Sequence, residues 1–163
     1  MDTTEKKALM LGIGNYLMGD EGVGVYIAQK MTQESLPPGV EVLDGGTGGF
    51  HLMGHMEQYP LVVMVDATLD GRAAGSVRQI RPRFSSDFPR AMSTHDVGLR
   101  DVVEAMSIRG TLPEIVLFVI SVEEVQPMYI GLSPAVKEAA DEVIEEIRQL
   151  LHTAIETGMF AEN

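Results

Sequence analysis

Two apolar runs, Leu61-Val-Val-Met-Val65 and Ile115-Val-Leu-Phe-Val-Ile120, contain no polar residue. A strand with one face in water alternates apolar and polar side chains, so runs without alternation call for strands covered on both faces. A sheet with helices packed on each side supplies that cover. Ala8 to Ile13 and Val40 to Leu43 are shorter strands of the same kind. Ser76 to Arg81 reads as an edge strand, although Val77 and Ile80 do not alternate strictly.

Between these runs the apolar period changes from strand to helix. Val23, Ile27, Ala28 and Met31 mark a helix that stops before Pro37-Pro38, since proline has no N–H to donate. A second helix is expected from about Phe50 to Gln58. A third opens at His95-Asp96, with Leu99, Val102, Val103 and Met106 on its apolar side. Ser133-Pro134 starts a fourth, followed by Val136, Ala140, Val143, Ile147 and Leu150 at helical spacing. Pro82 to Thr94 is polar, holds two prolines and reads as a long loop or flap. The expectation is one α/β domain over residues 1–163: three α/β/α layers, a mostly parallel twisted sheet of about five strands, and helices on both faces.

At 163 residues the chain is long enough for one buried core without a covalent staple. It has no cysteine, which removes thiol nucleophiles, zinc-thiolate sites and disulfides together and fits a reducing compartment. With no export signal and no apolar run long enough to span a bilayer, the cytoplasm is the expected location. A net charge of -12 repels phosphate backbones and anionic membrane faces, so neither nucleic acid nor membrane is an expected partner. Arg72, Arg78, Arg81, Arg83 and Arg90 cluster in sequence, as a solvated surface or a patch for an acidic partner.

In a parallel sheet covered by helices, ligands sit beyond the carboxyl ends of the strands. The candidate polar residues fall there. Leu11 to Gly24 packs five glycines and the adjacent Asp20 and Glu21 directly behind the first strand. Asp44 follows the second, Asp66 ends the third, and His95 stands at a loop-to-helix junction. A dinucleotide site shares this outline, but the third glycine position is Leu17, and two carboxylates near a pyrophosphate cradle repel it. There is no Gly-x-Ser-x-Gly elbow and no His-Glu-x-x-His helix. What remains is a dispersed set of oxygen and nitrogen donors, suited to a borderline divalent ion such as nickel, zinc or manganese.

Gly12-Ile-Gly-Asn-Tyr-Leu-Met-Gly-Asp20-Glu21-Gly-Val-Gly24, Asp44-Gly-Gly-Thr47, the strand ending at Asp66, Ser93-Thr-His95-Asp96 and Ile130-Gly-Leu-Ser133 occur in that order. Together they resemble the hydrogenase maturation endopeptidases along almost the whole chain. The resemblance implies a protease that removes a short C-terminal extension from the precursor of the large subunit of a nickel-iron hydrogenase after nickel insertion. It also implies that Glu21, Asp66 and His95 contact metal, and that Asp44 with Gly45, Gly46 and Thr47 recognises substrate. The nickel is expected to arrive with the substrate, although other divalent ions could occupy the same ligands. Nothing is carried over to residues 78–93.

Peptide hydrolysis needs a polarised carbonyl and an activated water. Asp20 or Asp44, if not engaged by metal, is the candidate general base. Metal as a recognition element ranks above metal as hydrolytic catalyst, because resident catalytic zinc sites are richer in histidine. Each residue also has a plainer reading: Asp20 and Glu21 can favour a helix start, Asp44 can turn the chain, Asp66 can cap the next segment, and His95 can be an ordinary loop histidine. His51, His55 and His152 receive no role, and the methionines fill the core. The alternative function is a nickel-dependent binding module or metallochaperone without peptidase activity. A monomer meeting a large precursor is the expected assembly.

Overall fold

The computed structural model of the protein describes residues 5–47, 49–88, 99–124, 126 and 128–158. A five-stranded sheet is built from β1 (Ala8–Gly12), β2 (Val40–Asp44), β3 (Leu61–Thr68), β4 (Val77–Ile80) and β5 (Glu114–Ser121). Their order is β2-β1-β3-β5-β4. All neighbours are parallel except β4, which runs antiparallel to β5 at the edge. The helices are α1 (Val23–Met31), α2 (His51–Met56), α3 (Leu99–Arg109) and α4 (Pro134–Thr157).

Strand periodicity divides the core into two. Ala8, Met10, Val63, Val65, Phe118 and Ile120 face one way and pack with Ile27 of α1 and Val143 and Ile147 of α4. Leu9, Leu11, Val62, Met64, Leu117 and Val119 face the other way and pack with Leu52 and Met56 of α2 and Val102 and Met106 of α3. Continuous apolar sequence therefore has a direct cause: odd and even positions fill different layers. Each fully buried side chain of this size contributes about 1.5–3 kcal/mol relative to exposure.

The expected three-layer α/β architecture is the one observed. Boundaries shift where pairing outweighs composition. β3 does not stop at Asp66 but continues to Thr68, because Asp66, Ala67 and Thr68 pair with Val119, Ile120 and Ser121. The second helix is shorter than expected, His51–Met56. The polar segment from Pro82 is pinned at its start: a short 3-10 turn, Ser85–Asp87, leads into Phe88, which is buried in the α2/α3 layer. Arg100 Nε donates to Phe88 O at 2.6 Å. Residues 89–98, with His95 and Asp96, lie outside the described residues.

α4 has 24 residues and is about 36 Å long at 1.5 Å per residue. Pro134 sits at its start, where a missing N–H costs nothing, and Gly158 ends it in a left-handed conformation. Ser133 occupies the N-cap, yet its side chain does not cap its own helix. It is engaged elsewhere.

Candidate active site

The carboxyl ends of β1, β2 and β3 lie in one row, with Gly12 paired to Asp44 on one side and Val65 on the other. At the usual strand spacing the two flanking residues are about 10 Å apart. Beyond Gly12 the chain enters the glycine-rich loop and forms a 3-10 turn, Gly19–Gly22, before α1 begins. α1 starts unusually close to the sheet. A Cβ on Gly12 would come within 2.0 Å of Gly24 O, and one on Gly24 within 2.2 Å of Ile13 O and 2.6 Å of Val65 O. Two facing glycines let the helix start rest on the strand ends, which places the turn carrying Glu21 against β3.

Glu21 is buried in that turn. Asp66 is half-buried and continues the β3 row of Val62 and Met64, on the α2/α3 side. Since β1 ends opposite Val65, Asp66 is the first β3 residue past the β1 pairing, where the neighbouring chain has become the glycine loop. Its Oδ1 accepts the Ala67 N–H at 2.8 Å. Glu21, in the turn after β1, and Asp66 of β3 thus lie toward the same carboxyl edge of the sheet. Among the described residues no group of three or more His, Cys, Asp or Glu side chains is arranged to hold an ion. The third expected ligand, His95, lies outside those residues.

Asp44 is exposed at the end of β2. Its Oδ1 accepts the Gly46 N–H at 2.9 Å, so the turn-forming reading of this residue is realised. The Gly45 N–H donates to Gly12 O at 2.8 Å, and the Gly14 N–H donates to Gly46 O at 2.7 Å. Backbone hydrogen bonds therefore knit the Asp44-Gly-Gly-Thr47 loop to the glycine loop. A Cβ on Gly14 would lie 2.2 Å from Glu21 O, so the chain of contacts runs from the Asp44 loop to Glu21 itself.

Asp20 departs most from expectation. It is 2 % exposed, and both its carboxylate oxygens are engaged by Ser133: Oδ1 accepts the Ser133 N–H at 2.7 Å and Oδ2 accepts the Ser133 Oγ–H at 2.8 Å. The Asp20 N–H donates to Gln126 Oε1 at 2.9 Å. The general-base reading of Asp20 fits this geometry poorly, because a base must reach a water beside the scissile bond. Asp20 clamps the β5–α4 connection to the turn that carries Glu21. Gln126 carries no signal in the sequence, because its role exists only once residues 106 positions apart meet.

Past Asp66, the same sheet edge holds an ion cluster that the sequence does not announce. Asp70 accepts hydrogen bonds from the Arg72 N–H, the Ser121 hydroxyl and Arg78. Burial alone would raise this carboxyl, but those hydrogen bonds and the Arg72 and Arg78 charges outweigh it and hold it below the ordinary value. The arginine cluster in part resolves into such pairs, with Arg81 on Glu114 as another. Arg90 lies outside the described residues.

Known proteins resemble this chain in sequence and fold. The family model of the hydrogenase maturation proteases matches residues 25–150, a span that begins after Asp20 and Glu21 and includes Asp44, Asp66 and His95. The hydrogenase 2 maturation protease of Escherichia coli K12 is 33% identical over 144 residues, covering 86% of this chain and 88% of that protein. Among solved structures, the hydrogenase maturating endopeptidase HybD from E. coli superimposes with a TM-score of 0.80 at 34% identity, over 93% of this chain and 94% of that one. The NiFe hydrogenase maturation protease HycI from Thermococcus kodakarensis KOD1 gives a TM-score of 0.75 at 27% identity, over 92% and 95% of the two chains.

Proposed function

The chain belongs to the hydrogenase maturation protease family, and from that premise we propose how its site selects and cuts a substrate. The protein is a peptidase. Its substrate is the precursor of the large subunit of a nickel-iron hydrogenase, and it removes a C-terminal extension once nickel is in place. The observation that supports this reading is that Glu21, in the turn packed against β3, and Asp66, just past the β1 pairing, both lie toward the carboxyl edge of the sheet, in a chain of this family.

Nickel is part of the substrate in this account. Glu21 and Asp66, with His95, are the side chains that meet it, and oxygen and nitrogen donors suit that ion. Contact with the loaded precursor aligns the peptide beyond the metal against the Asp44-to-Thr47 loop, where the exposed Asp44 and Thr47 receive it. Asp44 stands at the rim and is the carboxylate positioned to take a proton from the attacking water. Asp20 holds the Glu21 turn in place. No helix among the described residues is long and apolar enough to cross a membrane, and we place the reaction in the cytoplasm, with the protease acting as a monomer.

Incubation with the nickel-loaded precursor, read by intact mass, tests this function. The expected result is a loss equal to the C-terminal extension. Stable binding without any mass loss would instead establish a nickel-dependent binding module or metallochaperone.

A further inference from the structure

Five large apolar side chains stand exposed beside the site and have no part in the cleavage chemistry. They are Tyr16 and Leu17 in the glycine loop and Met128, Tyr129 and Ile130 after β5, with Met128 84% exposed. Backbone hydrogen bonds hold the two segments side by side. The Tyr129 N–H donates to Leu17 O at 3.1 Å, the Gly19 N–H donates to Tyr129 O at 2.7 Å, and Met18 and Tyr129 form a parallel bridge. A contiguous apolar surface of this kind marks an interaction site more often than a scattered exposed residue does.

Three observations give this ribbon a direction. Met128 has φ +59°, the only positive φ at a non-glycine among the described residues. That conformation costs about 1–2 kcal/mol and persists only where the surroundings impose it. Beside the ribbon lies a cavity of about 290 Å³, lined by Tyr16, Gly19, Gly22, Tyr26, Leu132 and Lys137, so that glycine backbone and mainly apolar walls receive whatever fills it. Gly19 and Gly22 bracket Asp20 and Glu21, so the cavity and the candidate site share one turn.

We propose that the ribbon and cavity are the docking surface for the precursor polypeptide: the cavity seats one large apolar side chain, and Leu17, Met128 and Ile130 cover its neighbours. The proposal rests on the peptidase reading of the adjacent site, and continuity with that site identifies the occupant. The cavity is built on the Gly19–Gly22 turn that carries Glu21, so a polypeptide engaged at Glu21 lies next to this surface. Docking there also acts on a segment tied through Gln126 and Ser133 to Asp20, next to Glu21.

The test uses Met128→Gly combined with Ile130→Ser, with Ile108→Ser as control. Ile108 is as exposed but lies near the end of α3, away from the ribbon. Binding and processing of the nickel-loaded precursor are measured separately. The double variant is expected to raise Kd and KM roughly tenfold, as loss of a central apolar contact does, with kcat at saturation unchanged. The control should match wild type. Met128→Gly alone should fold at least as stably as wild type, which separates docking from damage. Wild-type affinity in the double variant would overturn the docking surface. So would a concentration-dependent dimer that the double variant abolishes, since a second copy would then be the occupant. Patch-dependent binding without cleavage by the wild-type protein would uphold docking and sink the peptidase reading instead.

Discussion

Asp20 and Glu21 are adjacent in sequence and opposite in use. Asp20 spends both oxygens on Ser133, so its removal leaves a part-buried N–H and hydroxyl without their acceptor. Asp20→Ala is expected to cost about 1–3 kcal/mol in denaturant unfolding. Asp20→Asn keeps the shape and one acceptor, and should retain most processing activity. A general base replaced by an amide would lose about 10²–10⁴ in rate, so turnover assays on Asp20→Asn separate the two roles. Asp44→Asn at the rim should show that larger loss in kcat with little change in melting temperature. The sequence placed Asp20, Glu21 and Asp44 at strand or helix ends, as topology requires, whereas β3 runs two residues past Asp66. It could not say which one is clamped, since Ser133 lies 113 positions from Asp20 and no local pattern encodes their meeting.

Elements join at this edge through close backbone contact and charge. Gly24→Ala would drive a methyl into the carbonyls of Ile13 and Val65, forcing α1 off the sheet. The expected cost is about 3 kcal/mol or more, seen as a lowered urea midpoint. Asp70 ties the ends of β3 and β5 to Arg78 of β4. Its folded-state carboxyl titrates below the unfolded one, so the unfolded chain takes up the proton first as pH falls. The stabilisation is therefore complete above the ordinary aspartate value of about 3.9 and is lost as pH drops through the lower folded value. Unfolding measured between neutral and strongly acid pH should show a shallower acid decline in Asp70→Asn than in wild type. Unbroken apolar composition is enough to reveal β3 and β5, but the reach of β3 to Thr68 depends on pairing with β5, which composition does not report.

The molecule as a whole directs its chemistry to one end. The two core layers take up most strand residues, and the polar and exposed apolar residues of the site gather where the strands stop. Fold class, and the position of Glu21 and Asp66 toward the carboxyl edge, were legible because strand period and glycine punctuation are local signals. The apolar ribbon was not, because Leu17 and Tyr129 become neighbours only through the β5–α4 connection. In the proposed mechanism Glu21 and Asp66 read the nickel of a precursor and thereby license its cleavage. The most direct measurement compares wild type, Glu21→Gln and Asp66→Asn on nickel-loaded and nickel-free precursor, following intact mass over time. The C-terminal extension should be lost only from loaded precursor with wild-type protein, and processing should be abolished in both folded variants. Equal cleavage of nickel-free precursor, or full processing by both variants, would contradict that mechanism.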